Sequence, residues 1–350
     1  MKNSRLGWSD EQVSRACLGS MTWGVQNNQR DADDQIEYAL SRGVNFIDTA
    51  EMYPIPPTAE KYGDTERIIG DWLSRHPGQR ANIFLASKIA GNGLSWIRNQ
   101  GNITGKDIIK SVDASLQRLH TDYIDLYQLH WPNRTSPHFA KHRPNFIRFT
   151  EIDRQLESDG MLEILQALNE CIVAGKIRYC GLSDDTCWGI SEYLKLSEKY
   201  DLPRMVSIQN EFNLLHSKDW PYLIELCVHD ELAYLPWSPL GGGILSAKYL
   251  NGARPESSRW SMSQRNGLIR DNELTHTAVA EYKRIAEQYE MTTAQLSLAW
   301  CNQVDGVTST IIGATTMDQL KENLDAFDIM LPEELLAQLN KVLNTYPAPF

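Results

Sequence analysis

The stretch Val44–Leu73, VNFIDTAEMYPIPPTAEKYGDTERIIGDWL, decides how the rest of the chain is interpreted. It begins with a short apolar run typical of a buried strand and ends with apolar residues at helical spacing. The loop between them holds Asp48, Glu51 and Tyr53, and the prolines that follow stiffen its backbone. On these residues alone, a structural turn with a locally satisfied Asp48 is favoured over a functional site.

The same strand–loop–helix order recurs along the chain. Apolar, β-branched runs without strict alternation indicate strands that are buried on both faces. These runs are RACLG (15–19), VNFID (44–48), NIFLASK (82–88), YIDLYQLH (123–130), IRYCGLS (177–183), MVSIQN (205–210), LAYLPWS (232–238) and VTSTIIG (307–313). Helical patterns lie between them, and we expect Thr104 to cap one helix and Gly43 and Gly175 to end two others.

This alternation predicts an α/β fold, a (β/α)8 TIM barrel forming a single domain over residues 1–350. An additional C-terminal helix is predicted in LPEELLAQLNKVLN. A doubly wound sheet is the alternative, but the chain has no glycine-rich GxGxxG turn. Two long segments, 132–159 and 241–271, follow strands and are therefore expected to cover the mouth of the barrel.

Composition excludes several classes of partner. The chain of 350 residues carries a net charge of -11, which argues against nucleic acid or an anionic membrane as the main partner. No apolar run is long enough to span a bilayer, and the first residues lack the apolar core of a secretory signal. The six cysteines are scattered, which favours reduced thiols and a cytoplasmic protein.

In a barrel, the residues that follow each strand meet at one rim. Asp48 and Tyr53 follow the second strand, Lys88 ends the third and His130 ends the fourth. Each has a structural explanation when taken singly, but together they predict a polar cluster at the mouth. The following strands end in Ser183, Asp184, Gln209 and Trp237.

Such a cluster supports proton transfer. A free tyrosine has a pKa of about 10, and we expect the Lys88 ammonium to lower the pKa of Tyr53 while Asp48 holds the ammonium. Tyr53 could then protonate a developing alkoxide, and His130 could donate a hydrogen bond to the same oxygen. No metal site is predicted, because the pair His138 and His142 has no third ligand nearby.

At this point the chain resembles a known family. FIDTAEMY, LASK, DLYQLHWP, GKIRYCGLS, SIQNEFNLL, PWSPLGGGILSAKY and IIGATTMDQLKENL, in this order, are similar to motifs of the aldo-keto reductases. The resemblance covers essentially the whole chain and is nearest to the bacterial Tas-type branch, with potassium-channel β-subunits more distant. It implies a (β/α)8 oxidoreductase that uses NADP(H), with Tyr53 as proton donor, tuned by Asp48 and Lys88, and His130 on the substrate carbonyl.

The resemblance also implies positions for the cofactor. Ser183, Asp184 and Gln209 would hold the nicotinamide carboxamide, and Trp237 would face the ring. The segment from Ser238 to Leu245 would line the pyrophosphate, with glycines permitting close approach and the GATTMDQLKENL helix attracting anions. The full implied set is Ser20, Met21, Ser183, Asp184, Gln209, Trp237, Ser238, Pro239, Leu240, Gly242, Lys248, Arg259, Gly313, Thr315, Gln319, Glu322 and Asn323. Of these, Lys248, Arg259, Thr315 and Gln319 would meet the adenosine end and its 2′-phosphate, and Glu322 and Asn323 the adenine.

One position departs from the family, which usually has Asn where this chain has Asp184. As a carboxylate, Asp184 would accept a hydrogen bond but not donate one, and would slightly favour the oxidised ring. Trp23, Trp96, His130 and Trp131 are expected to contact a small-molecule carbonyl or alcohol substrate. Lys141, His142, Arg143 and Arg148 could admit an anionic substrate or simply face solvent. The substrate and the oligomeric state stay open.

Two other functions compete with carbonyl reduction. A regulatory subunit could retain the NADP(H) site as a redox sensor, as the likeness to channel β-subunits suggests. A barrel glycosidase could use Asp48 and Glu51, but both lie in one loop rather than across a sugar.

Overall fold

Eight parallel strands form one sheet that curls into a barrel in the computed structural model, which describes residues 1–137, 144–262 and 269–349. Around the barrel the strands follow one another in chain order, with the last strand beside the first. The strands are β3 (Ala16–Gly19), β4 (Phe46–Asp48), β5 (Phe84–Ile89), β6 (Ile124–Leu129), β7 (Ile177–Ser183), β8 (Ser207–Gln209), β9 (Ala233–Tyr234) and β10 (Thr310–Ile312).

Backbone hydrogen bonds close the barrel between its last two strands. Thr308 N donates to Tyr234 O at 2.9 Å, and Ile311 N donates to Pro236 O at 2.8 Å. Each predicted apolar run overlaps one of the eight strands, and only β5 extends beyond its run, by one residue. The predicted (β/α)8 barrel is therefore confirmed.

A short hairpin that the sequence did not predict packs at the amino-terminal end of the barrel. Its strands are β1 (Asn3–Arg5) and β2 (Gln12–Ser14), paired antiparallel. Trp8 Nε1 donates to Met205 O at 2.9 Å, which ties the hairpin to the segment before β8. Leu6 and Val13 are fully buried and join an apolar cluster with residues from inside the barrel. The hairpin therefore fills one end of the barrel.

Helices cover the outside of the barrel and pack on a single apolar core. They are α1 (Gln29–Ser41), α2 (Asp64–Arg75), α3 (Gly105–Leu119), α4 (Arg154–Val173), α5 (Cys187–Tyr200), α6 (Tyr222–His229), α7 (Glu273–Gln288), α8 (Thr293–Gln303), α9 (Met317–Asp325) and α10 (Glu333–Thr345). Thr104 accepts from Asp107 N at the start of α3, as predicted. Gly43 and Gly175 have φ of 79° and 72° just beyond two helix ends, where glycine was expected.

The described residues of the two long segments contain little regular structure. In the first, a 3-10 turn spans Phe149–Glu151, and α4 then begins at Arg154, earlier than the predicted boundary at residue 159. Arg148 is exposed and pairs with Glu151 at 3.0 Å. The predictions for His138, Lys141, His142 and Arg143 lie outside the described residues. The second segment begins with 3-10 turns over Gly241–Ser246 and Leu250–Gly252.

None of the helices in the described part of the chain has the length and apolar character that crossing a membrane requires.

Candidate active site

Asp48 and Lys88 form a buried ion pair where β4 and β5 end. Lys88 Nζ donates to Asp48 Oδ2 at 2.5 Å and to Thr49 O at 2.9 Å. The Lys88 side chain has no exposed surface, and that of Asp48 is 3% exposed. Burying a charge is costly unless it is paired and hydrogen-bonded, and both conditions hold here. The predicted contact between these two residues is thus present.

Two glutamines satisfy the second oxygen of Asp48. Gln209 Nε2 donates to Asp48 Oδ1 at 2.9 Å, and Gln128 Nε2 donates to the same atom at 3.3 Å. Gln209 Nε2 also lies 3.2 Å from Gln128 Oε1. Gln128 was not predicted to belong to the site. A glutamine near the end of a predicted strand that is buried on both faces is the signal that could have found it.

Tyr53 and His130 meet above this pair. Tyr53 Oη lies 3.5 Å from His130 Nε2, and the two rings are edge to face with centroids 5.4 Å apart. Lys88 Nζ lies 5.0 Å from the centre of the Tyr53 ring. His130 Nδ1 is buried and has no hydrogen-bond partner among the described residues. The structure therefore brings all members of the predicted catalytic cluster together.

The direction of one predicted pKa shift is wrong. Burial raises the pKa of the Tyr53 phenol above its usual value of 10.0, and the Lys88 ammonium opposes this rise without overcoming it. Removing the phenolate from water costs more free energy than the ammonium regains. Tyr53 is consequently a neutral acid at neutral pH. Burial, together with the Lys88 charge, lowers the pKa of His130 well below 6.5, so its imidazole is neutral as well.

Glu51 anchors the loop that carries Tyr53. Its carboxylate accepts from Ala90 N at 2.7 Å, from Arg98 Nη2 at 2.9 Å and from Tyr62 Oη at 2.7 Å. Ser111 Oγ donates to it as well. Because this buried carboxylate is fully engaged in structure, it is not available as the second carboxylate of a glycosidase.

Asp184 and Trp237 contact each other across the ends of β7 and β9. Trp237 Nε1 donates to Asp184 Oδ1 at 3.1 Å, and Asp184 N donates to Gln209 O at 3.1 Å. Asp184 has φ of 52°, a left-handed conformation that Asp and Asn tolerate better than most residues. The charge of Asp184 also contributes to the raised pKa of Tyr53, so both residues face the same part of the rim.

A glycine turn follows Trp237 and fits the approach of a phosphate. Gly242 and Gly243 have φ of 70° and 97°, which side-chain-bearing residues rarely adopt. Ser238, Pro239 and Leu240 lead into this turn. Lys248 lies beside Gly243, since a Cβ built on that glycine would be 3.4 Å from Lys248 Nζ.

Arg259 lies beside Met21, in the loop after β3. One guanidinium nitrogen is 3.4 Å from Met21 Sδ, and burial lowers the pKa of Arg259 from its usual value. No carboxylate of the described residues forms an ion pair with Arg259 or with Lys248. Cations without a protein counter-ion next to a glycine turn are suited to an anionic ligand. Ser20, which precedes Met21, is buried and donates through Oγ to Asp48 O at 2.8 Å.

The start of α9 forms a second cradle suited to anions. Thr315 N donates to Gln319 Oε1 at 3.0 Å, and Asn323 Nδ2 donates to Gly313 O at 3.2 Å. A Cβ built on Gly313 would meet nothing within 4 Å, so the backbone there is open to close approach. Glu322 lies on the same helix and is half-buried. Free amides and the helix dipole at this terminus favour negative charge.

The three tryptophans that were predicted to contact substrate differ in how exposed they are. Trp23 is fully buried, donates from Nε1 to Gln35 Oε1 at 2.9 Å and belongs to the core, so the expectation that it lines the mouth is wrong. The hydrogen bond to Gln35 joins the indole to α1. Trp131 is 6% exposed and donates to Asn92 O at 3.1 Å, whereas Trp96 is 40% exposed.

Among the residues that the structure describes, nowhere do three or more His, Cys, Asp or Glu side chains cluster in a way that could hold a metal ion.

Known sequences show the family to which the chain belongs. The sequence model of the Aldo/keto reductase family matches residues 15–344. The chain belongs to the aldo/keto reductase family. It is therefore a member of a family of oxidoreductases that act on small molecules and generally use NAD(P)H.

Three relatives within this family illustrate its range. The chain is 41% identical to Protein tas of Escherichia coli, over 100% of both chains. It is 28% identical to a probable voltage-gated potassium channel subunit beta of Arabidopsis thaliana, over 99% of this chain and 98% of the relative. It is also 28% identical to the uncharacterized oxidoreductase YrpG of Bacillus subtilis, over 100% of this chain and 97% of the relative.

Proposed function

We propose that this aldo/keto reductase reduces an aldehyde or ketone to an alcohol with NADPH, with Tyr53 as the proton donor. The observation that carries the proposal is the stacked arrangement at the ends of three neighbouring strands. Asp48 holds Lys88 at 2.5 Å, Lys88 Nζ lies 5.0 Å from the Tyr53 ring, and Tyr53 Oη lies 3.5 Å from His130 Nε2. Such an arrangement suits the protonation of an oxygen between Tyr53 and His130.

The residues of the chain would divide this chemistry between them. A neutral His130 with its hydrogen on Nε2 would donate to the carbonyl oxygen and fix its position. As charge builds on that oxygen, Tyr53 would transfer its proton to it. The Lys88 ammonium would stabilise the phenolate that is left, and Asp48 would keep the ammonium beneath the ring. NADPH, when bound, would supply the hydride.

The fit of the rim to a dinucleotide supports NADP(H) as cofactor. Trp237, Asp184 and Gln209 would receive the nicotinamide end, the glycine turn the pyrophosphate, and the start of α9 the adenosine end. Lys248 and Arg259, which pair with no described carboxylate, would neutralise the phosphates. We place the activity in the cytoplasm, since the six cysteines are all free.

A binding and single-turnover experiment tests the proposal. Adding NADPH to purified protein should change its tryptophan fluorescence, because Trp237 would contact the ring. The preformed complex is then mixed with a panel of aldehydes, ketones, quinones and keto sugars, and NADPH absorbance is followed. At least one carbonyl should oxidise NADPH in a single turnover. Binding without oxidation by any of them would contradict the proposed reaction.

A second candidate function is a regulatory subunit that keeps the NADP(H) site as a redox sensor. The likeness to a probable potassium channel subunit beta over nearly the whole chain favours it. The same panel separates the two functions. Absence of turnover, together with a stable protein partner in pull-downs with the nucleotide bound, would favour the subunit.

A further inference from the structure

Asp184 stands out on the rim because it is an acid without a cationic partner. Trp237 Nε1 donates to Oδ1 at 3.1 Å, while Oδ2 receives no hydrogen bond from any described residue. The side chain is only partly accessible to water. Burial, reinforced by nearby carboxylates, raises the pKa of Asp184 to about 8. The side chain is therefore poised between its neutral and charged forms near neutral pH.

Two acids near Asp184, one beside it in the chain and one across the rim, each have their own arginine partner, and Asp184 has none among the described residues. Asp185, the next residue, forms an ion pair with Arg134, and Glu211, which follows β8, forms one with Arg270. These acids raise the pKa of Asp184 further, although their own charges are compensated in part.

Two more titratable groups face Asp184. Asp219 carries no ion pair among the described residues and instead accepts from Tyr234 Oη at 2.8 Å and Asn210 Nδ2 at 2.9 Å. Its carboxylate also raises the pKa of Asp184. The Tyr53 phenol, on the other side, is electrostatically coupled to Asp184 and stays neutral. A ligand that places a positive charge next to Asp184 would thus supply the first cation to pair with its carboxylate.

We propose that Asp184 is a proton-linked contact to the nicotinamide carboxamide, protonated beside the reduced ring and ionised beside the oxidised ring. This inference rests on the proposed NADP(H) function. The reduced ring is uncharged, so the neutral carboxyl persists and its Oδ2–H can donate to the carboxamide oxygen. The oxidised ring is positively charged and stabilises the carboxylate. Binding of NADP+ then releases the Asp184 proton to solvent, whereas binding of NADPH does not.

Proton release on binding determines how the affinity for each nucleotide changes with pH. Below the unliganded pKa, NADP+ has to displace the Asp184 proton, so its affinity rises with pH by up to about tenfold per unit. The affinity for NADPH lacks this gain. The ratio Kd(NADPH)/Kd(NADP+) should therefore rise with pH. Ionisation of the 2′-phosphate, which both nucleotides share, cancels in this ratio.

The test measures both dissociation constants by tryptophan fluorescence between pH 6.0 and 8.0, for the native protein and for Asp184→Asn. We expect the ratio to rise by about 30- to 100-fold across this range in the native protein, the slope that release of close to one proton requires, and to stay flat in the variant. Calorimetry of the native protein at pH 7 in two buffers of different ionisation enthalpy counts released protons independently. Close to one proton should leave with NADP+ and close to none with NADPH.

Each outcome decides the question. Equal slopes in the native protein and in Asp184→Asn, or equal proton release with both nucleotides, would overturn the inference and leave the proposed function standing. Absence of binding by either nucleotide would overturn the proposed cofactor and this inference with it. If Asp184→Asn fails to fold, the proton count on the native protein still gives the answer.

Discussion

Lys88 Nζ lies 2.5 Å from Asp48 Oδ2, and the two side chains are 0% and 3% exposed. This ion pair has no water to compensate either charge if its partner is removed. Its role at the site is therefore inseparable from its role in folding.

Replacing Lys88 by Met should destabilise the protein by about 3–5 kcal/mol, because the Asp48 charge is left buried and unpaired. The double variant Asp48→Asn/Lys88→Met should recover much of that loss while remaining inactive. Chemical denaturation measures both effects. Lys283→Met is the matched control, since Lys283 is 45% exposed in a pair with Glu287 and should change stability by less than about 1 kcal/mol. A double variant no more stable than Lys88→Met would contradict this account.

Tyr53→Phe should reduce turnover by about 10²–10⁴-fold, because the general acid is lost while the aromatic ring remains. The Kd for NADPH should change by less than about twofold, since the phenol acts on the substrate oxygen. Steady-state kinetics and fluorescence titration measure the two effects. Tyr222→Phe is the control, as Tyr222 is 73% exposed on α6. Full activity in Tyr53→Phe would eliminate Tyr53 as the proton donor.

The pH profile of hydride transfer should lack the inflection of an ordinary histidine. Burial lowers the pKa of His130 well below 6.5 and raises that of Tyr53 above 10.0, so neither group changes charge between pH 6.5 and 7.5. Single-turnover rates on the preformed NADPH complex should be constant over that range. A rate that changes through an apparent pKa near 6.5, and loses this dependence in His130→Gln, would refute the neutral imidazole.

Glu51→Ala should destabilise the protein by about 3 kcal/mol, since it leaves the Arg98 guanidinium without its carboxylate partner and the Ala90 amide without its acceptor. Turnover should fall as well, because the Tyr53 loop loses its anchor. Thermal unfolding and kcat are the measurements. Glu60→Ala, an exposed position in the same loop, should leave both unchanged. An equal loss in the two variants would show that Glu51 has no special part in the anchor.

Gly91→Ala should raise KM for the substrate without changing the Kd for NADPH. A Cβ at this position would lie 2.0 Å from Trp131 Nε1, so the indole has to move and its bond to Asn92 O is lost. Gly78→Ala, where an added Cβ meets nothing within 4 Å, is the matched control. An unchanged KM for Gly91→Ala would remove Trp131 from the substrate site.

The strands and helix ends were predictable because local chemistry determines them. Apolar runs such as NIFLASK have no alternative to a strand buried on both faces, and Thr104 caps α3 through its own side chain. The hairpin at the amino terminus escaped prediction because each strand has three residues and few of them are apolar. The early start of α4 was missed because the irregular segment was expected to extend to residue 159, whereas Asp153 caps the helix six residues before that boundary.

The residues of the site were predictable from the sequence, but the pKa shift of Tyr53 was not. Barrel topology brings Asp48, Lys88 and His130 to one rim regardless of the conformation of the loops. The net pKa shift of Tyr53 depends on how much water the folded loops exclude, and no sequence pattern reports this quantity. The burial of Trp23 against Gln35 likewise depends on packing between segments.

The hairpin that fills the amino-terminal end of the barrel has a kinetic consequence. Leu6 and Val13 close that end of the barrel, so the proposed nucleotide and substrate would both enter through the opening at the rim. When two reactants enter through one opening, the reactant that binds deeper has to bind first, and its product has to leave last. Product-inhibition patterns should therefore be those of an ordered mechanism, with the hairpin strands on the far side of the molecule from the shared opening.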